Sequence, residues 1–516
     1  MEETPVIEET KPAHAAPPSE APGEKAAVVA AQPVLMRPLI PPKSAVVPLP
    51  PAVLPAAILA GVAAAVLLPI DRPGIGWVLT GLVVAAAIFA VDRRSRTEES
   101  PPHFTYVSAG WALLSLALLG IGAIRASDWL FVLCVLAATV TGSLAVVGRR
   151  TVNTTFYDVF SVPLEAFRAI PWIGRGATKL ASSRDGRGRR VVLATLATVA
   201  VLAVFVPLLS AADQVFADVV SVLIPDLGLD TAIRWGFVFV VAALVVAGAC
   251  YLLAAPPHPA TKGRALRTRH SLEWTVPLIA LVGVFAVFVV VRLVLLFGGT
   301  AYVLRTNGLT SAEYARSGFW QLCACTVLTL ALVAAALRWA PDATRGDRIR
   351  QRVLLGALSA LSLVLVGSAL SRMWTYQEAY GFTVLRLLVE VCELWFGLVF
   401  VLVLASLVRL HSAWLPRAAI GTAAGALLAL AVLNPEHLIA DANIDRAAAG
   451  KSLDFRYLGR FSTDVVPVVD ARLQEPIRSC VLRVVLSGDT PDGWPGWNLS
   501  RAEGRQITLG PPSTCR

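Results

Sequence analysis

Charge is scarce in this sequence. Asp, Glu, Lys and Arg make up only 16% of its 516 residues, against about 25% in an average soluble domain. Metal-ligand spacing is also missing. The six histidines, at 14, 103, 258, 270, 411 and 437, form no HExxH, and the seven cysteines form no CxxC pair. "GRGATK" at 174–179 resembles half a phosphate loop, but it lacks the full frame and a preceding strand. A signal-peptide layout is absent too, because the chain opens acidic, "MEETPVIEET", with no basic start before an apolar core. These absences leave no metal, cofactor or catalytic residue to expect.

Apolar residues fill the space: 56% of the chain is hydrophobic and its mean hydropathy is +0.67. They cluster in long runs between short polar loops. In hydrocarbon the backbone must satisfy its own hydrogen bonds, so a run of about 20 apolar residues becomes a helix. The fold expected is all-α, a polytopic transmembrane helix bundle. Eleven spans are read near 52–70, 75–91, 107–124, 129–147, 191–211, 232–255, 274–298, 319–338, 353–371, 384–408 and 418–433. Before them, residues 1–50 hold eleven prolines and are expected to be a disordered cytoplasmic tail. The bundle covers 51–433. After it, 434–516 carries ten basic and ten acidic residues and reads as a small extracytoplasmic tail. Pro435 and Gly450 bracket a helix there, "STDVVPVVDARL" suggests a second, and the end reads as irregular.

The net charge of +10 does not point to nucleic acid, because the cations sit in alternate loops. Loops 92–106, 148–190, 256–273, 338–352 and 409–417 hold 23 Lys and Arg, and the intervening loops hold 5. Insertion keeps cations in the cytoplasm. The amino terminus is therefore expected inside and the carboxyl terminus outside, in a plasma membrane. Outside, Cys480 and Cys515 could form a disulfide, or stay unrelated thiols. In the largest basic loop, Phe156, Phe160, Phe167, Ile170 and Trp172 precede Arg175 and Lys179. That stretch suits a helix on an anionic leaflet, or serves only to orient the chain. Gly421 and Gly425 form a GxxxG that suits close helix packing.

Four charges within spans make a candidate intramembrane polar cluster: Arg292, Arg386, Glu390 and Glu393. Ionisable groups there usually face a bundle interior or a watery cavity. Arg386 and Glu390 are spaced to pair on one helix face. Counting about 1.5 Å per residue puts Arg292 and Glu390 at similar depth, a candidate interhelical ion pair, with Glu393 deeper. Either the four lock helices together or they line a polar cavity. Expected outer loops add Asp213, Asp218, Glu313, Arg316, Arg372, Tyr376, Glu378 and Tyr380. Thr310 with Glu313 forms a candidate capping box, and the aromatic rings suit interfacial anchoring.

Five blocks carry a resemblance: "SAADQVFAD" at 210–218, "SAEYARSGFWQL" at 311–322, "RMWTYQEAYGFTVLRL" at 372–387, "NPEHLIADANIDRA" at 434–447 and "DFRYLGRFSTDVVPVV" at 454–469. Together, over roughly 190–500, they resemble a bacterial membrane family catalogued as domain of unknown function 4173, related to 4153. The composition looks actinobacterial. The resemblance implies a multi-pass architecture and no catalytic residues. The leading expectation is a non-enzymatic envelope scaffold or signal-linked protein that meets the bilayer and, through its tail, envelope proteins. A secondary transporter with a polar cavity in the outer half of the bundle is the alternative. A lipid-linked glycosyltransferase-like enzyme using Asp71 is a weaker third.

Overall fold

A computed structural model describes residues 47–96, 103–148, 155–182, 229–255, 271–298, 319–339, 344–409, 413–488 and 492–510, with isolated positions between 201 and 216. No strand occurs among the described residues. The helices of the bundle are α1 (Val53–Leu67), α2 (Ile75–Ser95), α3 (Tyr106–Ile124), α4 (Asp128–Val147), α5 (Thr155–Ser182), α6 (Leu229–Ala254), α7 (Ser271–Gly298), α8 (Phe319–Trp339), α9 (Arg345–Tyr380), α10 (Val384–Arg409) and α11 (Leu415–Leu433). Among the described residues, nine of them are long and apolar enough to cross a membrane. They correspond to nine of the eleven expected spans. The first expected span is a shorter apolar helix, α1. The span expected at 191–211 is described only at isolated positions, the tail expected at 1–50 is described only over 47–50, and the Thr310–Glu313 capping box lies outside the described residues.

The loop expected at 372–383 is not a loop. "RMWTYQEAY" contains no breaker, so α9 continues to Tyr380 and stops at Gly381, whose φ of 90° favours glycine. At 36 residues, α9 is about 54 Å long, well beyond the roughly 30 Å of a hydrocarbon core. Only residues 381–383 separate it from α10.

α1 packs on α6 and α2, α3 on α2 and α4, and α9 on α7, α8 and α10. α11 packs on α3, α4 and α10 and so joins the two groups. Close approach is built from glycine. A side chain on Gly61 would strike the Phe239 ring at 2.6 Å, and one on Gly122 the Phe131 ring at 2.6 Å. The candidate GxxxG contributes little: Gly421 would meet Trp111 at 3.4 Å and Gly425 would meet nothing. "GRGATK" is part of α5 and makes no phosphate loop.

The carboxyl-terminal segment folds as a cap over one end of the bundle. Its helices are α12 (Pro435–Ala448), α13 (Phe455–Leu458), α14 (Val466–Arg472), α15 (Ile477–Ser487) and α16 (Leu499–Gly504), with 3₁₀ turns at Thr463–Val465 and Trp494–Gly496. The first two expected helices are present. The end read as irregular is partly helical, because Asn498 caps α16 by accepting from the Arg501 N–H at 3.1 Å. Ile439, Ile444, Leu458, Val465, Val469 and Leu482 form its core, against Phe382 and Val384 of the α9–α10 turn.

Polar contacts clamp this cap to helix ends that need partners. Asp464, 1% exposed, accepts from the Ala126 N–H (3.1 Å), the Ser127 N–H (3.1 Å) and the Ser127 hydroxyl (3.0 Å) at the start of α4. Asn498 donates to the carbonyls of Gly122 and Arg125, both at 2.8 Å. Arg125 donates to the Ala431 carbonyl at 2.8 Å, at the end of α11. Arg501 donates to the Pro73 carbonyl at 2.7 Å, in the α1–α2 turn. Glu436 accepts from the Ser462 hydroxyl (2.6 Å), the Ser462 N–H (2.8 Å) and the Trp129 indole (3.0 Å). Burial pushes its carboxyl up, and those hydrogen bonds pull it partly back. Asp492 sits among Arg501 (3.1 Å), Arg72 (3.0 Å) and Arg505 (2.9 Å). Burial alone would raise it, but the three guanidinium groups hold it below the usual carboxylate range. Its contribution to stability is thus present at neutral pH and is lost in acid, as pH falls through that lowered value.

Asp464→Ala removes the acceptor for two backbone donors and one hydroxyl that stay buried. The expected cost is about 3 kcal/mol, read as an earlier thermal transition of the purified protein in detergent. A transition unchanged from wild type would contradict this account of the clamp.

Candidate functional site

The bundle's most unusual chemistry lies where α8, α9 and α10 meet. Burial along α9 falls on Leu365, Val366, Ala369, Met373 and Gln377, a stripe at helical spacing. Gln377 therefore faces inward although it is polar. On α10, Glu390 and Glu393 lie one turn apart. Gln377 Nε2 donates to Glu390 Oε2 at 3.2 Å. Gln377 and Glu393 are each 1% exposed, and Glu390 is half-buried. On α8, Cys323 and Thr326 lie beside Glu393.

Two acceptors in this cluster lack partners. Gln377 Oε1 and Glu393 Oε2 are buried and make no hydrogen bond. An unsatisfied buried acceptor costs about 1–3 kcal/mol, and each native instance needs a reason. The Thr326 hydroxyl has only one proton, and it donates to the Leu322 carbonyl at 3.0 Å.

The expected ion pairs do not form. Arg386 turns back along its own helix: its guanidinium donates to the Gly381 carbonyl and lies 4.3 Å from the centre of the Tyr376 ring. The carbonyl and the ring win because both stand at the α9–α10 turn, closer to water than Glu390. Arg292 lies over Phe288 on its own helix, 5.5 Å from the ring centre. α9 packs on both α7 and α10, and Gln377 from α9 occupies Glu390. Among the described residues, neither glutamate has a Lys or Arg within ion-pair distance.

The cap holds the mouth of this site. Asn443 grips Phe382 twice: its Oδ1 accepts from the N–H, and its Nδ2 donates to the carbonyl, both at 2.9 Å. Arg446 donates to the last carbonyls of α9, Glu378 at 3.0 Å and Ala379 at 3.1 Å, where the helix dipole favours a cation. The Val384 N–H donates to the Tyr457 hydroxyl at 3.0 Å.

The other expected site residues divide. Arg372, Tyr376, Glu378 and Tyr380 lie on α9, with Tyr376 and Tyr380 ring centres 5.0 Å apart. Asp213 is exposed and accepts from the Phe216 N–H at 3.1 Å. Asp218, Glu313 and Arg316 lie outside the described residues. Cys480 is buried and disulfide-bonded; Cys515, its expected partner, lies outside the described residues. Asp71 edges a separate cleft of about 300 Å³ with Trp77, Asp128 and Phe131, and pairs with Arg234 at 3.5 Å. No group of three metal-ligating side chains occurs among the described residues. Sequence reading missed Gln377, Cys323 and Thr326. The i,i+4 step from Met373 to Gln377 was the available signal, had the helix been continued past 371.

A family model described as domain of unknown function (DUF4153) matches residues 113–471. The five sequence blocks had resembled family 4173 over roughly 190–500. The match is to 4153 instead, and it begins earlier, within α3. No curated protein and no solved structure matches the chain.

Gly381 is where this site can be perturbed from outside. A side chain there would be strained by the φ of 90° and would meet Asn443 Oδ1 at 2.9 Å. Gly381→Ala should cost about 1–3 kcal/mol and loosen the α9–α10 turn, seen as faster backbone hydrogen exchange over 378–390. Unchanged exchange there would contradict the clamped turn.

Proposed function

Because the chain belongs to the DUF4153 family, whose description names no activity, we propose a function from its own geometry. It is a proton-coupled secondary transporter of the plasma membrane, and no catalytic step is assigned to it. One observation carries the reading: Glu393 is buried within a membrane-spanning bundle, beside Glu390, with neutral donors only. A bare carboxylate in hydrocarbon is costly, so the pair takes up a proton. A proton on Glu393 removes the charge from its buried, unpartnered oxygen. Glu390, half-buried and about 4.5 Å nearer the cap along the helix, relays protons between Glu393 and water. Gln377 holds Glu390 in that position.

The orientation completes the reading. The basic loops put the end opposite the cap in the cytoplasm, so the cap and the Glu390 mouth face the envelope. A disulfide at Cys480 suits an oxidising exterior.

The cap favours a second reading, an envelope scaffold. Its clamps on the helix ends make it a firm platform, and Trp494 stands 64% exposed on it, the residue type that anchors interfaces.

A hydrophobic carbodiimide, which modifies protonated carboxyls in apolar surroundings, separates the two. At neutral pH it should label the α10 peptide, and Glu393→Gln should remove at least nine-tenths of the adduct. Wild-type protein that stays unlabelled while folded sinks the proton-site reading and leaves the scaffold.

A further inference from the structure

Among the described residues, α5 is the one long helix of the bundle that does not run through it. Near its start, Asp158 lies 3.9 Å from Arg417, the third residue of α11. At its middle it presses on α6, where a side chain on Gly248 would strike the Ala166 nitrogen at 2.6 Å. Further on, the Trp172 ring lies 5.0 Å from that of Tyr251, and its indole donates to the Val47 carbonyl at 2.9 Å. Arg417 opens α11, Gly248 and Tyr251 belong to the last two turns of α6, and Val47 precedes α1. From Asp158 to Trp172 is about 21 Å of helix. Over that distance α5 stays level with the same helix ends, the ends opposite the cap. It lies across the bundle.

Its two sides differ. The inner side buries Tyr157, Ser161, Glu165, Ala169 and Trp172. The Tyr157 hydroxyl donates to Glu165 at 2.6 Å, and Arg168 donates to the same carboxylate at 3.2 Å. The outer side presents Phe160, Phe167 and Ile170, which are 43%, 72% and 51% exposed. Pro163 and Pro171 are exposed between them. At 100° per residue, these five fall on one face, and Arg168 and Arg175 fall along one flank of it. An exposed apolar face beside a basic flank, lying level with the ends of membrane spans, has the form of an interfacial helix.

We propose that this face rests in the headgroup and upper acyl layer of the bilayer, and that the basic flank selects anionic phospholipid. The neighbouring spans already place that layer beside it. The charges match: cations beside an apolar face attract an anionic leaflet.

The test uses the full chain in vesicles containing a photoactivatable phospholipid, either phosphatidylglycerol or phosphatidylcholine, with adducts mapped by peptide. The 155–176 peptide should gain at least threefold more adduct from the phosphatidylglycerol probe. Phe167→Glu with Ile170→Glu should remove the adduct, while α9 and α10 peptides stay labelled as in wild type, which reports a folded bundle. Arg175→Gln, a milder change, should narrow the preference between the two probes. Equal adduct from both probes would overturn the anionic selectivity. A wild-type peptide without adduct beside labelled spans would overturn the membrane contact, leaving the face to a protein partner.

Discussion

Water is missing from the space that most of this chain occupies, and the rest of the structure follows from that. In hydrocarbon a backbone polar group has no partner but another part of the chain. The chain accordingly coils into apolar helices and sends its charged groups to the ends. At one end, carboxylates and amides of the cap satisfy the helix termini of three hairpins. At the other, α5 lies flat with its polar side chains turned into the bundle. The same rule makes the exception informative. Glu393 is deep, acidic and without a cation among the described residues, and the proposed function has it carry a proton.

The cap and the carboxylates are parts of one arrangement. Asp464 and Asn498 hold the α3–α4 turn, Arg501 the α1–α2 turn, and Asn443 with Arg446 the α9–α10 turn. Arg386 is bound into that last turn through the Gly381 carbonyl. One turn further in stands Glu390, and below it Glu393. A displacement of α12 would therefore move Gly381 first and alter the path to Glu390 next. On the proposed function, this would give an extramembranous segment mechanical access to an intramembrane proton site.

Most of the fold was legible because hydrophobic runs of bilayer length admit one solution. Among the described residues, nine helices stand where such runs predict them, and Pro435 marks the start of α12 as start signals predict. The site was legible only in part. Glu390 and Glu393 stand out as acids in an apolar run. Their partners do not, because helix pairing is set by packing that spacing alone does not encode. Depth matched Arg292 to Glu390, but equal depth says nothing about which helices adjoin, and α9 brought Gln377 instead. Gln377 itself was hidden by the density of polar and aromatic residues in "RMWTYQEAY", which imitates a loop. The cap was underestimated for a similar reason. Its buried acids look like surface charge until the helix ends they serve are in place.

The central claim is that Glu393 holds a proton inside the bundle. Infrared difference spectra of the reconstituted protein, recorded against pH, test it most directly. The account predicts a protonated-carboxyl stretching band at neutral pH that is absent from Glu393→Gln. A spectrum with no such band at neutral pH, or one that Glu393→Gln leaves unchanged, would contradict it.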